Sequence, residues 1–285
     1  MSNYIINTSA PVIQNRYQSN KILNFHSSDR EFEFPINKEK MGEDWYYYDK
    51  EIEYKFNSWG YRSKEFTDLS DDYILVFGCS CTEGIGLHFD DMWSTKLGKK
   101  LNLDVFNLGM GASGVDYQFH NTIMFHNFLL KTRKFPKLVV YQWPSDYRTS
   151  AMFLNKQSKT KELDVEFFSP HYRKIDDRDD MNSFFDWYMH GFVDNKGELT
   201  KQNGLYPMIS NNLWKSLNIP VLNWTFGVDF VPDEQKIFGN EYIIHSVFDL
   251  TGVLARDLGH NGHLSQDLVV DLVIDKLKYE DDFSK

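Results

Sequence analysis

The stretch Tyr73–Gly78, YILVFG, is a continuous apolar run stopped by glycine, and it leads directly into GCSCTEG (78–84). An apolar run without alternation is what a strand buried on both faces of a parallel sheet looks like. The turn after it places Ser80 between a strand end and a helix start. A serine held there is presented at the top of the sheet, and neighbouring backbone N–H groups can face an oxyanion formed on a bound ester.

The same rhythm continues outward from this stretch. MWSTKLGKKL (92–101) reads as a helix and DVFNLG (104–109) as a second strand. YQFHNTIMFHNFLL (117–130) has apolar residues at helical spacing, and KLVVYQW (137–143) is a third strand stopped by Pro144. NIPVLNW (218–224) supplies a fourth strand, and LSQDLVVDLVIDKL (264–277) closes the chain as an amphipathic helix. Strands alternating with helices predict a parallel sheet covered on both faces. Ligands of such sheets sit outside the carboxyl ends of the strands. Chemistry is therefore expected in the loops after 78, 109, 143 and 224, and just before the last helix.

Two stretches fall outside this rhythm. Residues 1–50 are polar with scattered aromatics and read as an N-terminal arm; EIEYKF (51–56) then alternates like a strand and NSWGYR (57–62) turns. Residues 147–215 are charged and aromatic with few aliphatics, which predicts a helical or loop insertion over the edge or mouth of the sheet. Residues 51–285 then form a single domain carrying that insertion.

Composition narrows the class. The 285 residues are 41% hydrophobic and 16% aromatic, enough for a packed core. A net charge of −10 argues against a nucleic-acid or anionic-membrane partner, since either needs a basic face. The two cysteines, Cys79 and Cys81, are too few for a disulfide framework or a four-ligand zinc site. The first twenty residues lack the basic start and apolar run of a secretory peptide, and no stretch approaches the ~18 apolar residues of a membrane span. The expectation is a soluble chain made in the cytoplasm, which a virion component would also satisfy.

The candidate chemistry begins with Ser80. Cys79 and Cys81 are candidate thiolates at a helix N-terminus, but they flank the turn and are expected to fill space beneath it. In ARDLGHNGHLSQ (255–266), Asp257 and His260 stand three apart ahead of a helix. A histidine there can take the serine proton, and an aspartate can fix its tautomer and support the imidazolium. His263 is the competing base, placed by its position as a capping or surface residue. NLGMGASG has glycines at 109, 111 and 114, the spacing of a dinucleotide fingerprint, but it follows the second strand and lacks the acidic residue ~20 positions on.

GCSCTEG, NLGMGASG (107–114), LVVYQWPSD (138–146) and RDLGHNGH (256–263) together resemble the ordered blocks of the SGNH (GDSL-type) hydrolases. NSWGYR also resembles a segment that precedes the nucleophile block in many members. The resemblance runs from about residue 54 to 277. It implies a flavodoxin-like three-layer α/β/α sandwich with a mostly parallel sheet. It also implies Ser80 as nucleophile, His260 as general base and Asp257 as orienting acid, with no metal or organic cofactor. The oxyanion donors implied are the Ser80 N–H, the loop at Gly111 and Ala112, and Ser145. The third block departs from the family: Trp143 stands where glycine is usual and Ser145 where asparagine is usual, while Asp146 keeps the aspartate. Losing one oxyanion donor costs ~2.7–4 kcal/mol of transition-state stabilisation, so Gln142 or Arg148 is a candidate replacement.

These residues predict hydrolysis of a small acyl ester. Trp143, Tyr147, Trp187, Tyr188 and Trp214 suit stacking on sugar rings, which points to carbohydrate O-deacetylation, with Trp143, Asp146 and Arg148 as substrate contacts. The alternatives are lids that merely cover the body, a lipase or thioesterase, and a catalytically weakened module that binds glycan or builds a structure.

Overall fold

The structure, a computed structural model, describes residues 4–5, 10–26, 28–144, 148–154, 163–168, 179–190, 198–225 and 251–279. The expected strands are present as β1 (Tyr73–Gly78), β2 (Asp104–Gly109), β3 (Leu138–Trp143) and β4 (Val221–Thr225). Their order across the sheet is β4-β3-β1-β2 and every neighbouring pair is parallel. Because the chain moves from β1 to β2 and only later to β3 on the other side, the connections diverge between β1 and β3. That divergence opens a crevice at the carboxyl ends of those two strands. The register sets Gly78 opposite Gly109, and Phe77 opposite Tyr141.

Successive side chains of a strand point to opposite faces, and here both faces are buried. Tyr73, Leu75, Phe77, Val139, Tyr141 and Trp143 face one layer, with Phe125 and Leu129 of α3 (Val115–Thr132) and Trp214 of α4 (Glu198–Lys215). Ile74, Val76, Val140, Leu222 and Trp224 face the other, with Trp93 and Leu97 of α2 (Trp93–Leu101) and Val269, Val270 and Val273 of α5 (His263–Tyr279). The indoles of Trp93 and Trp224 meet edge-on at 5.4 Å, the arrangement their quadrupoles favour. The result is the expected three-layer α/β/α sandwich.

The stretch 147–215 differs from a helical insertion. Thr149–Leu154 and Leu163–Phe168 pair as an antiparallel hairpin, and Asp179–Tyr188 is a helix. The end of the stretch, α4, belongs to the sandwich, since the buried Trp214 donates from Nε1 to Tyr141 Oη at 2.7 Å. Gly204 and Pro207 inside α4 hide it from a reading by helix propensity.

The N-terminal segment is built into the body. Val12 and Ile13 are fully buried in the α3-side core, where Ile13 N donates to Asn121 Oδ1 and Tyr61 Oη donates to Ile13 O. Ile22–Leu23 pairs antiparallel with Tyr54–Lys55. Trp45 and Tyr47 pack with Ile52, Tyr54, Phe56, Leu87 and Met92 in a third cluster. Asp29, 2% exposed at its side chain, pairs with Arg256, 3% exposed, through Nε at 3.0 Å and Nη2 at 2.6 Å. Arg256→Met leaves Asp29 buried without its partner and is expected to destabilise the fold by about 3–5 kcal/mol. A urea titration measures it, and adding Asp29→Leu should recover part of the loss because the unpaired charge is then gone.

Candidate active site

The turn after β1 is held by both neighbouring strands. Helix α1 (Ser80–Glu83) starts where Cys79 N donates to Gln142 Oε1 at 2.8 Å, and Thr82 Oγ1 donates to the same oxygen at 3.2 Å. Gln142 Nε2 donates to Trp143 O at 3.0 Å. This fully buried amide, expected as a replacement oxyanion donor, is therefore committed to holding α1. From β2, Asn107 Nδ2 donates to Thr82 O at 2.7 Å and Asn107 Oδ1 accepts Gly109 N at 2.7 Å. A Cβ on Gly109 would lie 2.4 Å from Glu83 N, so only glycine lets α1 approach this closely. Ser80 is 8% exposed. Its hydroxyl hydrogen-bonds Cys79 Sγ at 3.9 Å, and among the described residues no hydrogen bond joins it to an imidazole.

Cys79 and Cys81 lie in the α2/α5-side core, both unoxidised and buried. Burial pushes the Cys81 thiol well up, and the adjacent Cys79 pushes it further. A protonated thiol inside an apolar cluster is a poor nucleophile, so Cys81 packs beneath the turn, whereas the hydrogen bond from Cys81 holds the Cys79 thiol well below the usual range.

The other half of the site is a tight return ahead of α5. Leu254 bridges Asn261, Ala255 N donates to His260 O at 2.8 Å, and Gly262 N donates to Val253 O at 2.8 Å. Leu258 takes a left-handed φ of 52°, which turns the chain so that Asp257 and His260 meet. His260 Nδ1 and Asp257 Oδ2 are 2.5 Å apart, while Asp257 Oδ1 accepts Gly259 N and His260 N, both at 3.1 Å. The Asp257 side chain is 2% exposed and the imidazole 17%. Burial pulls the His260 imidazole down, but the hydrogen bond and charge of Asp257 outweigh it. The charge at Cys79 adds to that effect, Arg148 opposes it, and the net direction is up. This return docks on the chain leaving α1, where Arg256 N donates to Gly86 O at 3.0 Å. Gly86 has φ +74°, and a Cβ there would lie 2.8 Å from Ala255 Cβ and 3.0 Å from Asp257 Oδ1.

The loop after β2 separates its two candidate donors. Gly111 N, expected as an oxyanion donor, donates to Glu83 Oε2 at 2.5 Å and is thereby committed. Ala112 is exposed with φ +61°, a left-handed conformation unusual for a residue with a Cβ. The N–H groups of Ser80 and Ala112 have no acceptor among the described residues. Ser145, Asp146 and Tyr147 lie outside the described residues. Arg148 is half-buried, and its carbonyl closes over Gly114, where a Cβ would lie 2.6 Å from it.

Of the four described aromatic residues expected to stack on sugar, three are core residues. Trp143 is fully buried, stacked on Tyr141 at 4.4 Å and donating from Nε1 to Asn223 Oδ1. Tyr188 and Trp214 are also buried, and only Trp187, at 54%, is exposed among those described. His263 is structural: its N–H donates to Tyr47 Oη at 3.0 Å and its ring stacks on Tyr46 at 3.6 Å.

Sequence reasoning missed Glu83 and Asp116. Asp116 Oδ2 accepts Thr149 Oγ1, Ser150 N and Ser150 Oγ and so ties the hairpin to α3; burial pushes its carboxyl up. Glu83 sits within the nucleophile motif itself, which was the available signal.

No protein-family model matches the chain, and no curated protein matches it by sequence. Among solved structures it is similar to an acetyl xylan esterase from the rumen bacterium Butyrivibrio proteoclasticus, at 11% identity and a TM-score of 0.43 over 76% of this chain and 66% of that one. It is similar to a carbohydrate esterase family 2 enzyme from Corynascus thermopiles (Myceliophthora fergusii), at 10% identity and a TM-score of 0.41 over 75% of this chain and 68% of that one. It is also similar to a lipolytic protein of the G-D-S-L family from Desulfitobacterium hafniense, at 13% identity and a TM-score of 0.30 over 72% of this chain and 98% of that one. The chain thus spans about two thirds of the length of the two carbohydrate esterases.

His260 is expected to titrate above the ordinary histidine value of 6.5. A raised value means the folded state binds the proton more tightly. The pair's contribution to stability is complete below the unfolded value and disappears as pH rises through the folded one. An NMR titration of the imidazole checks this, and Asp257→Asn should move its midpoint down.

Proposed function

We propose that the chain is a serine ester hydrolase of the SGNH type acting on short acyl esters, with an O-acetylated glycan as the substrate class. One observation carries the reading. A half-buried Asp257–His260 pair is docked, through Arg256 and Gly86, on the chain leaving the helix that starts at Ser80. An imidazole raised by a bonded carboxylate is suited to hold a proton taken from a hydroxyl.

In this mechanism Ser80 Oγ attacks the ester carbonyl carbon while His260 Nε2 takes the hydroxyl proton. Asp257, bonded to Nδ1, keeps the ring in the tautomer that leaves Nε2 free to accept and supports the imidazolium that results. The N–H groups of Ser80 and Ala112 donate to the oxyanion, and the proton on His260 passes to the leaving alcohol. Water, deprotonated by His260, then attacks the acyl-serine and releases the acid. The hydroxyl must leave Cys79 Sγ for the imidazole when substrate binds; catalytic hydrogen bonds often tighten only in the complex. The near-complete burial of Ser80 favours a small acyl group.

The serine–sulfur hydrogen bond also supports a second reading, a weakened module that binds glycan without hydrolysing it. One set of measurements separates the two. Under the hydrolase reading p-nitrophenyl acetate turns over and a fluorophosphonate probe labels the chain. Ser80→Ala abolishes labelling and lowers kcat by about 10⁴-fold or more, while Cys79→Ala keeps the label. Acetate release from acetylated polysaccharide should exceed release of long acyl chains. Undiminished turnover in Ser80→Ala would overturn the assignment, and glycan binding without turnover in the intact chain would establish the module.

A further inference from the structure

Glu83 closes α1 with its side chain 1% exposed. A carboxylate buried that deeply requires hydrogen bonds to offset its lost hydration. None of the side-chain bonds it makes serves its own helix. Oε2 accepts Gly111 N at 2.5 Å. Oε1 accepts Gln18 Nε2 at 3.2 Å and lies 3.5 Å from His26 Nε2. Gln18 Nε2 and His26 Nε2 are 2.7 Å apart, Gln18 Oε1 accepts Asn15 Nδ2 at 2.6 Å, and the His26 ring packs 5.4 Å from Tyr54. The carboxylate therefore joins the loop after β2 on one side to the N-terminal segment on the other.

The loop it grips is the one that needs gripping. Ala112 follows Gly111 in a left-handed conformation at φ +61°, and a strained residue persists only where its surroundings over-determine it. Its N–H has no acceptor among the described residues. Oxyanion donors act only when held within about 2.7–3.1 Å of the developing charge. Holding the amide of Gly111 anchors the peptide immediately before the one that carries the Ala112 N–H and so restricts where that N–H can lie.

We infer that Glu83 is a positioning residue that sets the Ala112 N–H for catalysis, and that Gln18 and His26 of the N-terminal segment brace it. This rests on the hydrolase reading and extends it: residues far upstream of the nucleophile motif become part of the site. Gln keeps an acceptor oxygen for Gly111 N, whereas Ala removes it, so the two substitutions at position 83 grade the effect.

The test uses the full chain as wild type, Glu83→Ala, Glu83→Gln, Gln18→Ala and His26→Ala. Hydrogen exchange of residues 109–114 is followed by mass spectrometry. The kcat for p-nitrophenyl acetate is normalised to sites titrated with a fluorophosphonate, so loss of folded enzyme does not enter. Glu83→Ala should speed exchange of the segment and lower kcat per titrated site by about 10²-fold, as a displacement of about 1 Å can, with KM changed less than about twofold. Glu83→Gln should fall between wild type and Ala, and the two N-terminal variants should move both readings in the same direction. If Glu83→Ala does not fold, unchanged exchange and kcat in Glu83→Gln and Gln18→Ala overturn the proposal. An active, labelled wild type whose folded variants keep both values also overturns it, with the hydrolase reading intact. A wild type that neither turns over ester nor takes the label overturns both.

Discussion

The buried ion pair between Asp29 and Arg256 is the constraint around which the site is assembled. Arg256 immediately precedes Asp257, so whatever fixes its guanidinium fixes the start of the Asp–His return. The guanidinium also donates to Asn24 O and lies 4.5 Å over the Phe25 ring. Asp29 accepts a further hydrogen bond from Tyr54 Oη, and that same oxygen accepts Gly86 N. One carboxylate thus connects the N-terminal segment, the Asp–His return and the chain leaving α1. A planar guanidinium suits this role because its fork of donors satisfies a carboxylate and a carbonyl together.

A second buried guanidinium works in parallel. Arg62, at the end of NSWGYR, donates to the carbonyls of Glu53, Gly84 and Leu87 and lies 4.6 Å over Tyr54. Its hydrogen bonds go to backbone oxygens, and they tie the segment between α1 and α2 to Glu53. The sheet supplies the remaining support, with Gln142 reaching across from β3 and Asn107 from β2 to hold α1 between them. The serine turn is therefore rigid from below and from both sides, while its outer face is shaped by chain segments distant in sequence.

How much of this was legible depends on the range of the interactions. The four strands were read correctly because burial on both faces leaves no polar position, and that shows in composition alone. The fate of Trp143 was legible in principle. It shares parity with Val139 and Tyr141, so it faces the helix layer rather than the crevice. Helix α4 was obscured by Gly204 and Pro207, whose low propensity is overruled by packing of Trp214 and its neighbours. The N-terminal segment reads as an arm because its aromatics follow no period. They are buried singly, against different partners, and such packing leaves no repeating signal.

The sequence by itself determined the parallel sheet, the placement of Ser80 after β1, and the Asp257–His260 pair, because each depends on residues within one strand or one turn. Only the tertiary structure decided which backbone donor is spoken for and which is open. Gly111 and Ala112 are adjacent and alike on paper, and the difference between them is a carboxylate from another turn. It likewise decided that the N-terminal segment packs against the candidate site, since Asp29, Gln18 and His26 meet partners between 57 and 227 positions away along the chain. Hydrogen bonds of that separation follow from the fold and have no local pattern that could announce them.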